Sequence, residues 1–293
     1  MGKGLKIRKK RVLLLGANGM LGSEISSKFS GLENIEILTC FRSQLEIDNL
    51  GRYRRNFCKL VTELKPDYVV NCVGINKNNM GRSGIIQQLI VNGIFPRYLA
   101  KKSDHYGYFM IQISTDGVFF GKKGGYEETN RKYPRSIYSF SKILGEKASH
   151  SVLIIRCSIV GRSPADQNSL SLFSWFQNLK PNASVSGYTN QRWNGVTTDY
   201  LARLVVGLVQ SEYRIGGIQH FIPSDNVSKA ELLGLFKDVL RRSDISINAA
   251  RANKNMDREL KTRYPKRNLH FWNLAGLKQV PSISELIYLS LSK

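Results

Sequence analysis

Four apolar residues in succession at 12–15, closed by Gly16, form the pattern of a strand covered on both faces. Behind them Leu21, Ile25 and Phe29 recur at every fourth position, the stripe of a helix packed on that strand. The same alternation continues down the chain. Strands are predicted at 35–41, 68–73, 109–113 and 152–156. Helices are predicted at 50–64, stopping before Lys65-Pro66, at 85–101 with Pro96 as a kink point, and at 138–150. Strands that alternate with helices over some 160 residues predict an α/β fold, a Rossmann-type doubly wound parallel sheet with helices on both faces.

Beyond Gly161 the alternation weakens. Residues 162–195 are loop-rich and aromatic, with Trp175, Phe176, Tyr188 and Trp193, before a helix at 199–210, a strand at 218–222 and helices at 229–240 and 284–291. The expected organisation is a nucleotide-binding domain at 1–161, completed by 196–222, and a smaller C-terminal substrate lobe built from 162–195 and 223–293.

The basic N-terminal segment precedes an apolar run too short for a secretory core or a membrane span, so a cytoplasmic protein with no membrane partner is expected. Cys40, Cys58, Cys72 and Cys157 lie far apart without metal-ligand spacing, and neither a metal nor a disulfide is expected. Lys and Arg outnumber Asp and Glu by 44 to 22. That excess suits anionic partners. The basic residues are spread along the chain, which fits a solvated surface or attraction of phosphorylated small molecules, and no recognised nucleic-acid motif accompanies them.

Two patterns carry chemistry. In 16–22, GANGMLG, Gly16 permits a tight turn after the strand, Gly19 lets a pyrophosphate approach the backbone, and Gly22 lets the helix pack on the sheet. The helix start, with Asn18, Met20 and Leu21, then turns its free N–H groups toward the phosphates. After the second strand, Arg42 and Ser43 replace the acidic residue that would bond a ribose 2′-hydroxyl, which favours NADPH and leaves NADH as the alternative. Asp48 and Asn49 are in position to reach the adenine edge. The second pattern pairs Tyr138 with Lys142 at i and i+4, on one helix face, where an ammonium lowers the phenol pKa toward a useful range. Ser114-Thr115 ends a strand at the carboxyl edge of the sheet, where ligands of such folds bind.

With the segments PDYVVNCVG (66–74), VNGIFP (91–96), ISTDGVFFGKKGGYEE (113–128), YSFSKILGE (138–146), IRCSIVG (155–161) and NQRWNGVTT (190–198), the sequence resembles an extended short-chain dehydrogenase/reductase. Within that group it resembles the dTDP-4-dehydrorhamnose reductase-like sugar-nucleotide reductases. The resemblance implies that Thr115 bonds the substrate carbonyl, Tyr138 protonates the developing alkoxide, and Lys142 bonds the nicotinamide ribose while depressing the Tyr138 pKa. It places Cys72, Val73, Gly74 and Ile75 along the cofactor and has Asn92 brace the site from its helix. Ser114, Asp116, Gly117, Trp193, Asn194 and Thr198 fall on the sugar-nucleotide side, a small hydrophobic core being the other reading of Trp193. The implied reaction is reduction of a 4-keto group on a nucleotide-linked deoxysugar for cell-surface polysaccharide, with a homodimer as one assembly seen among such enzymes. The sequence departs from the pattern at Gly117, where related dehydratases carry a glutamate and reductases an aromatic, and at Ser139, where a glycine is usual. The competing readings are an epimerase of the same substrates and a non-catalytic dinucleotide-binding subunit.

Overall fold

The computed structural model of the protein describes residues 8–47, 49–75, 82–164 and 171–292. Its central sheet contains β1 (Lys10–Leu15), β2 (Ile35–Cys40), β3 (Tyr68–Asn71), β4 (Phe109–Ser114), β5 (Val152–Arg156) and an edge strand at Gly217–His220. All pair in parallel, in the order Gly217–His220, β5, β4, β3, β1, β2. The chain therefore reverses its direction of winding at β1 and β3, and that switch point opens a crevice at the carboxyl ends of the strands.

Side-chain alternation explains the unbroken apolar runs. Val12 and Leu14 enter one core with Leu21, Ile25 and Phe29 and with the helix Thr198–Gln210, whereas Leu13 and Leu15 enter the other with Tyr53, Phe57, Val91 and Phe95. A polar residue inside these strands would face one core or the other. A smaller third core gathers Phe173, Phe176, Trp193, Leu232, Phe236, Ile283 and Ile287. Among the described residues no helix is long and apolar enough to cross a membrane.

Three predicted elements end or break for reasons visible in the structure, and the helix Pro265–Leu274 was not expected at all. The third strand stops at Asn71, because the Asn71 side chain accepts a hydrogen bond from Val73 N–H and donates one to Gln112 Oε1, bending the chain out of the sheet. The segment expected as one helix at 85–101 is three joined pieces, α-helix Arg82–Leu89, π-helical turn Ile90–Ile94 and α-helix Phe95–Tyr106. Pro96 has no N–H for the carbonyl of Asn92, and the wider turn just before it accommodates the missing bond. The helix expected over 138–150 spans only Ile137–Gly145. A Cβ on Gly145 would lie 2.3 Å from the Asn92 carbonyl oxygen, so the two helices touch backbone to backbone there. The next residue, Glu146, leaves the helix to reach Arg156. Within 162–195 the structure forms a helix, Leu172–Gln177, and strands Ser184–Tyr188 and Gln191–Trp193.

Candidate active site

Gly16 follows β1 with φ +83°, a conformation that favours glycine, and its N–H donates to the Cys40 carbonyl at 3.1 Å. Helix Met20–Phe29 then begins at Gly19 with no side-chain cap and no acidic residue in its first turn. Its start therefore presents unpaired N–H groups and the positive end of the helix dipole to the crevice. The three glycines have separate reasons. A Cβ on Gly22 would sit 2.1 Å from the Gly16 carbonyl oxygen, so Gly22 is a packing residue. A Cβ on Gly19 would meet nothing nearer than 3.4 Å, so the fold itself does not demand a glycine there.

Two adjoining cavities share Gly19, Cys72, Val73 and Gly74. The first, about 680 Å³, is walled by Gly16, Asn18, Ser43 and Asn49, together with Phe41, Glu46 and Arg52, which the sequence analysis did not single out. Asn49 is also the cap of helix Leu50–Leu64, its Oδ1 accepting from Gly51 and Arg52 N–H at 3.1 Å. Arg52 Nη1 pairs with Glu46 Oε1 at 3.1 Å. Arg42 opens the short helix Arg42–Leu45 by its backbone, while its side chain and Asp48 lie outside the described residues.

The second cavity, about 650 Å³, brings together Met20, Leu21, Ile75, Ser114, Thr115, Asp116, Gly117, Tyr138 and Lys142. Four elements deliver them: the glycine loop, the end of β3, the end of β4 and helix Ile137–Gly145. Thr115 Oγ1 donates to Asp116 Oδ1 at 2.9 Å and accepts from Gly117 N–H at 3.0 Å, which fixes the hydroxyl at the cavity wall. Ser114 is turned away from this task, its hydroxyl donating to Glu146 Oε1 at 2.6 Å. Ser136 caps the helix that carries Tyr138, accepting from Ser139 N–H at 3.1 Å.

Burial pushes the Tyr138 phenol up to about 12, and the nearby Asp116 carboxylate adds to the rise. The Thr115 hydroxyl and the positive charge of Arg258 act in the opposite direction. Lys142 lines the same cavity, but its ammonium donates to the Ile113 carbonyl at 2.9 Å. Burial lowers the Lys142 pKa, against the pull of Glu146, Cys72 and Cys157. Arg258 thus adds a positive charge that pulls the Tyr138 phenol down, while the Lys142 ammonium, expected from the i, i+4 spacing to do so, is turned to the Ile113 carbonyl. Arg258 was missed because it lies some 120 residues downstream of Tyr138, in a basic stretch without a motif. The cavity also takes in Cys157, Ser158, Ser171 and Leu172, from the ends of β5 and of the loop beyond it.

Besides Gly22, which packs against the Gly16 backbone, four of the expected residues do not line either cavity. Asn92, in the π turn, spends its amide on the loop beside the site: Oδ1 accepts from Ile75 N–H at 2.9 Å, and Nδ2 donates to Ile75 O at 2.8 Å and Ser141 Oγ at 3.2 Å. It braces the cavity wall without facing the groove. Trp193 is 6% exposed and packed in the third core, its Nε1–H donating to Ser158 Oγ at 2.8 Å. Asn194 holds Leu260 by a pair of backbone hydrogen bonds at 2.7 and 2.9 Å. Thr198 is buried against Gly161, where a Cβ would lie 2.0 Å from its Oγ1. The polar groups of Asn92, Trp193 and Asn194 are consumed in joining segments rather than presented to a ligand. Among the described residues no cluster of three His, Cys, Asp or Glu is placed to hold a metal ion.

Comparison with known proteins adds three findings. The family model described as RmlD substrate binding domain matches residues 10–269. A dTDP-4-dehydrorhamnose reductase from Streptomyces griseus is 33% identical over 146 residues, which cover 50% of this chain and 46% of that protein. The chain thus spans about half the length of the curated relatives it matches first. Among solved structures, a dTDP-4-dehydrorhamnose reductase from Clostridium acetobutylicum superposes with a TM-score of 0.77 at 21% identity, covering 96% of this chain and 98% of that one. A dTDP-4-dehydrorhamnose reductase from Bacillus anthracis, solved in complex with NADP, gives 0.77 at 20% identity, covering 95% and 97%. These structural likenesses establish the fold.

Proposed function

The chain belongs to the RmlD substrate-binding-domain family, and from that premise we propose that it is an NADPH-dependent reductase of the 4-keto group of a nucleotide-linked deoxysugar. One observation carries the reading: Thr115, Tyr138 and Lys142 meet in a single cavity that adjoins an uncapped helix start behind a glycine loop. The names of the aligned relatives and the NADP complex of a structural neighbour support the substrate class and the cofactor.

The residues present fit a dinucleotide. Gly19 leaves open backbone where a phosphate needs close approach, and the first turn of the following helix has donors without side-chain partners. Ser43 and Arg52 would lie at the adenosine end, and Val73, Gly74 and Lys142 toward the nicotinamide end. When bound, NADPH supplies the hydride. The chain's own part is acid catalysis and positioning. Thr115 Oγ1 would turn its proton from Asp116 to the substrate carbonyl oxygen and hold it against the Tyr138 phenol. Tyr138 would then pass its proton to that oxygen as negative charge develops there. A phenol held well above neutral pH stays protonated until the oxygen becomes basic, as this direction of reaction requires. The formal charge of +22 suits a cofactor and a substrate that both carry phosphates. The cytoplasmic location expected from the sequence belongs to the same reading.

The test is a panel of dTDP- and UDP-linked 4-keto-6-deoxysugars mixed with the protein and NADPH, followed at 340 nm with product identification. Consumption of NADPH with formation of the 4-hydroxy sugar is expected for at least one member. Failure of every member, with NADPH shown to bind, would falsify the reading.

A further inference from the structure

Arg258 enters the cavity from outside the elements that build the nucleotide-binding sheet, and the surrounding chain is shaped to put it there. The loop after Phe120 grips its segment by three backbone hydrogen bonds, Asp257 N–H to Gly121 O, Gly124 N–H to Asp257 O and Tyr126 N–H to Glu259 O, at 2.9 to 3.2 Å. Gly121, with φ +81°, lies under Arg258 itself, since a Cβ there would be 2.9 Å from Arg258 Cγ. Gly124, with φ +65°, makes room for the Asp257 carboxyl group in the same way. From the other side, Met256–Asp257 pairs in parallel with Gln191–Arg192, and Asn194 clamps Leu260.

Among the described residues the guanidinium so placed forms no salt bridge. Its Nε is buried with no hydrogen-bond partner among the described residues. Arg258 lines the cavity with Thr115, Asp116, Gly117 and Tyr138. Asp116, the carboxylate there, already accepts the Thr115 hydroxyl and also attracts the half-buried Lys229 ammonium. A guanidinium whose planar fork of donors lines a groove is suited to receive carboxylate or phosphate oxygens. Gly117 supplies the space. The point where its Cβ would be lies 3.3 Å from Thr115 Oγ1 and 3.8 Å from Arg258 Nη1, so a large side chain at 117 would occupy the slot between them. A sugar ring whose carbonyl rests on Thr115 spans that slot.

We propose that Arg258 is an oxyanion-binding residue of the substrate site, receiving a carboxylate or phosphate oxygen of the nucleotide sugar beside the carbonyl held by Thr115 and Tyr138. The inference rests on the nucleotide-sugar reading above and adds to it the group that the substrate presents at position 117. The oxyanion has two sources, a carboxylate on the sugar ring or the phosphate attached to it, and different ligands separate them.

Wild type, Arg258→Gln and Arg258→Lys, each saturated with NADP⁺, would be titrated calorimetrically with UDP-glucose, dTDP-glucose and UDP-glucuronic acid. Arg258→Gln is expected to weaken binding at least tenfold and Arg258→Lys to recover part of it, with NADPH affinity and the thermal midpoint unchanged. An equal loss for the glucose and glucuronate ligands assigns the phosphate. A wild-type preference for UDP-glucuronic acid that disappears in Arg258→Gln assigns the carboxylate. Affinities within twofold of wild type for every ligand that binds overturn the inference and leave the reductase reading standing, and so does a loss that comes with equal loss of NADPH affinity or of the thermal midpoint. Wild type that binds NADPH but none of the three nucleotide sugars overturns the inference, and the 4-keto-6-deoxysugar panel alone then decides the reductase reading.

Discussion

Arg156 grips Glu146 through two hydrogen bonds of 2.8 Å, Nε to Oε1 and Nη2 to Oε2, with both side chains only 1% exposed. The pair lies directly beneath the active-site strand end, because Glu146 Oε1 also accepts the Ser114 hydroxyl and Oε2 accepts from Lys132 Nζ at 3.1 Å. Burial works to raise the Glu146 pKa, and the Arg156 hydrogen bonds and charge, with Lys132 and Ser114, more than offset it.

Removing one partner leaves the other charge buried and uncompensated. Glu146→Leu is therefore expected to cost about 3–5 kcal/mol in urea unfolding at pH 7, and the double variant Glu146→Leu with Arg156→Met markedly less. A single variant within about 1 kcal/mol of wild type would show that the pair contributes no stability of this kind.

The glycine loop separates fold from ligand. Gly22→Ala puts a methyl group 2.1 Å from the Gly16 carbonyl oxygen and is expected to lower the thermal midpoint together with cofactor affinity. Gly19→Ala meets nothing nearer than 3.4 Å, so its midpoint should stay within a few degrees of wild type. Its NADPH affinity, measured by fluorescence titration, should nevertheless fall about tenfold or more, about 1.4 kcal/mol, because a methyl group blocks approach to the backbone. Unchanged affinity in Gly19→Ala would place the pyrophosphate elsewhere.

Tyr138→Phe keeps the ring and removes the proton donor. Turnover in the reductive direction is expected to drop by roughly 10²–10⁴, with NADPH binding close to wild type. The pH profile gives a sharper test of which cation acts on the phenol. With the Tyr138 pKa up at about 12, the donor is protonated throughout the working range, and the chemical step should stay level from pH 7 to pH 10. Were Lys142 to depress the phenol as the sequence pattern suggested, the rate would already decline between pH 7 and pH 9.

Tyr138 and Lys142 illustrate what the sequence made legible. Their shared helix face follows from local geometry alone, as do the buried strands and their alternation with helices along the chain, whereas the order of strands across the sheet does not. Their electrical environment does not, because it depends on what the fold brings opposite them. Arg258 arrives from a two-residue strand, Met256–Asp257, whose pairing with Gln191–Arg192 leaves no periodic signal. Gly121 and Gly124 stand in the segment 113–128, but their purpose, to admit that strand, depends on a contact more than 130 residues away in sequence. Trp193 fails for the opposite reason. An aromatic near a binding motif and an aromatic in a small core look alike in sequence, and its bond to Ser158 and its packing in the third core distinguish them.

His220 gives the last prediction, on stability against pH. The ring is fully buried, with Nδ1 2.7 Å from the Lys261 carbonyl, a contact that requires the proton on Nδ1 and leaves the Nε2 lone pair to accept from Arg156 Nη1 at 3.3 Å. Protonating Nε2 would set a second cation against the guanidinium. Burial, with Arg156 assisting, pulls the His220 pKa down to about 4, although Glu128, Glu146 and the Lys261 carbonyl favour the charged form. The partner Glu128 is also lowered: burial raises it, and His220, Thr262 and the Arg263 and His220 N–H groups outweigh the burial. A depressed histidine binds its proton more readily when unfolded. Its contribution is thus complete above about pH 6.5 and is lost as pH falls toward 4, and the carboxylate adds loss in the same direction. The thermal midpoint should therefore fall between pH 7 and pH 4.5, with roughly 1–3 kcal/mol attributable to His220. His220→Gln should start lower, having lost the imidazole, and then decline less steeply over the same interval. A wild-type midpoint that holds level across that range, or equal slopes in the two proteins, would mean that His220 is not the group through which acid loosens the junction of the edge strand with Glu128 and Lys261.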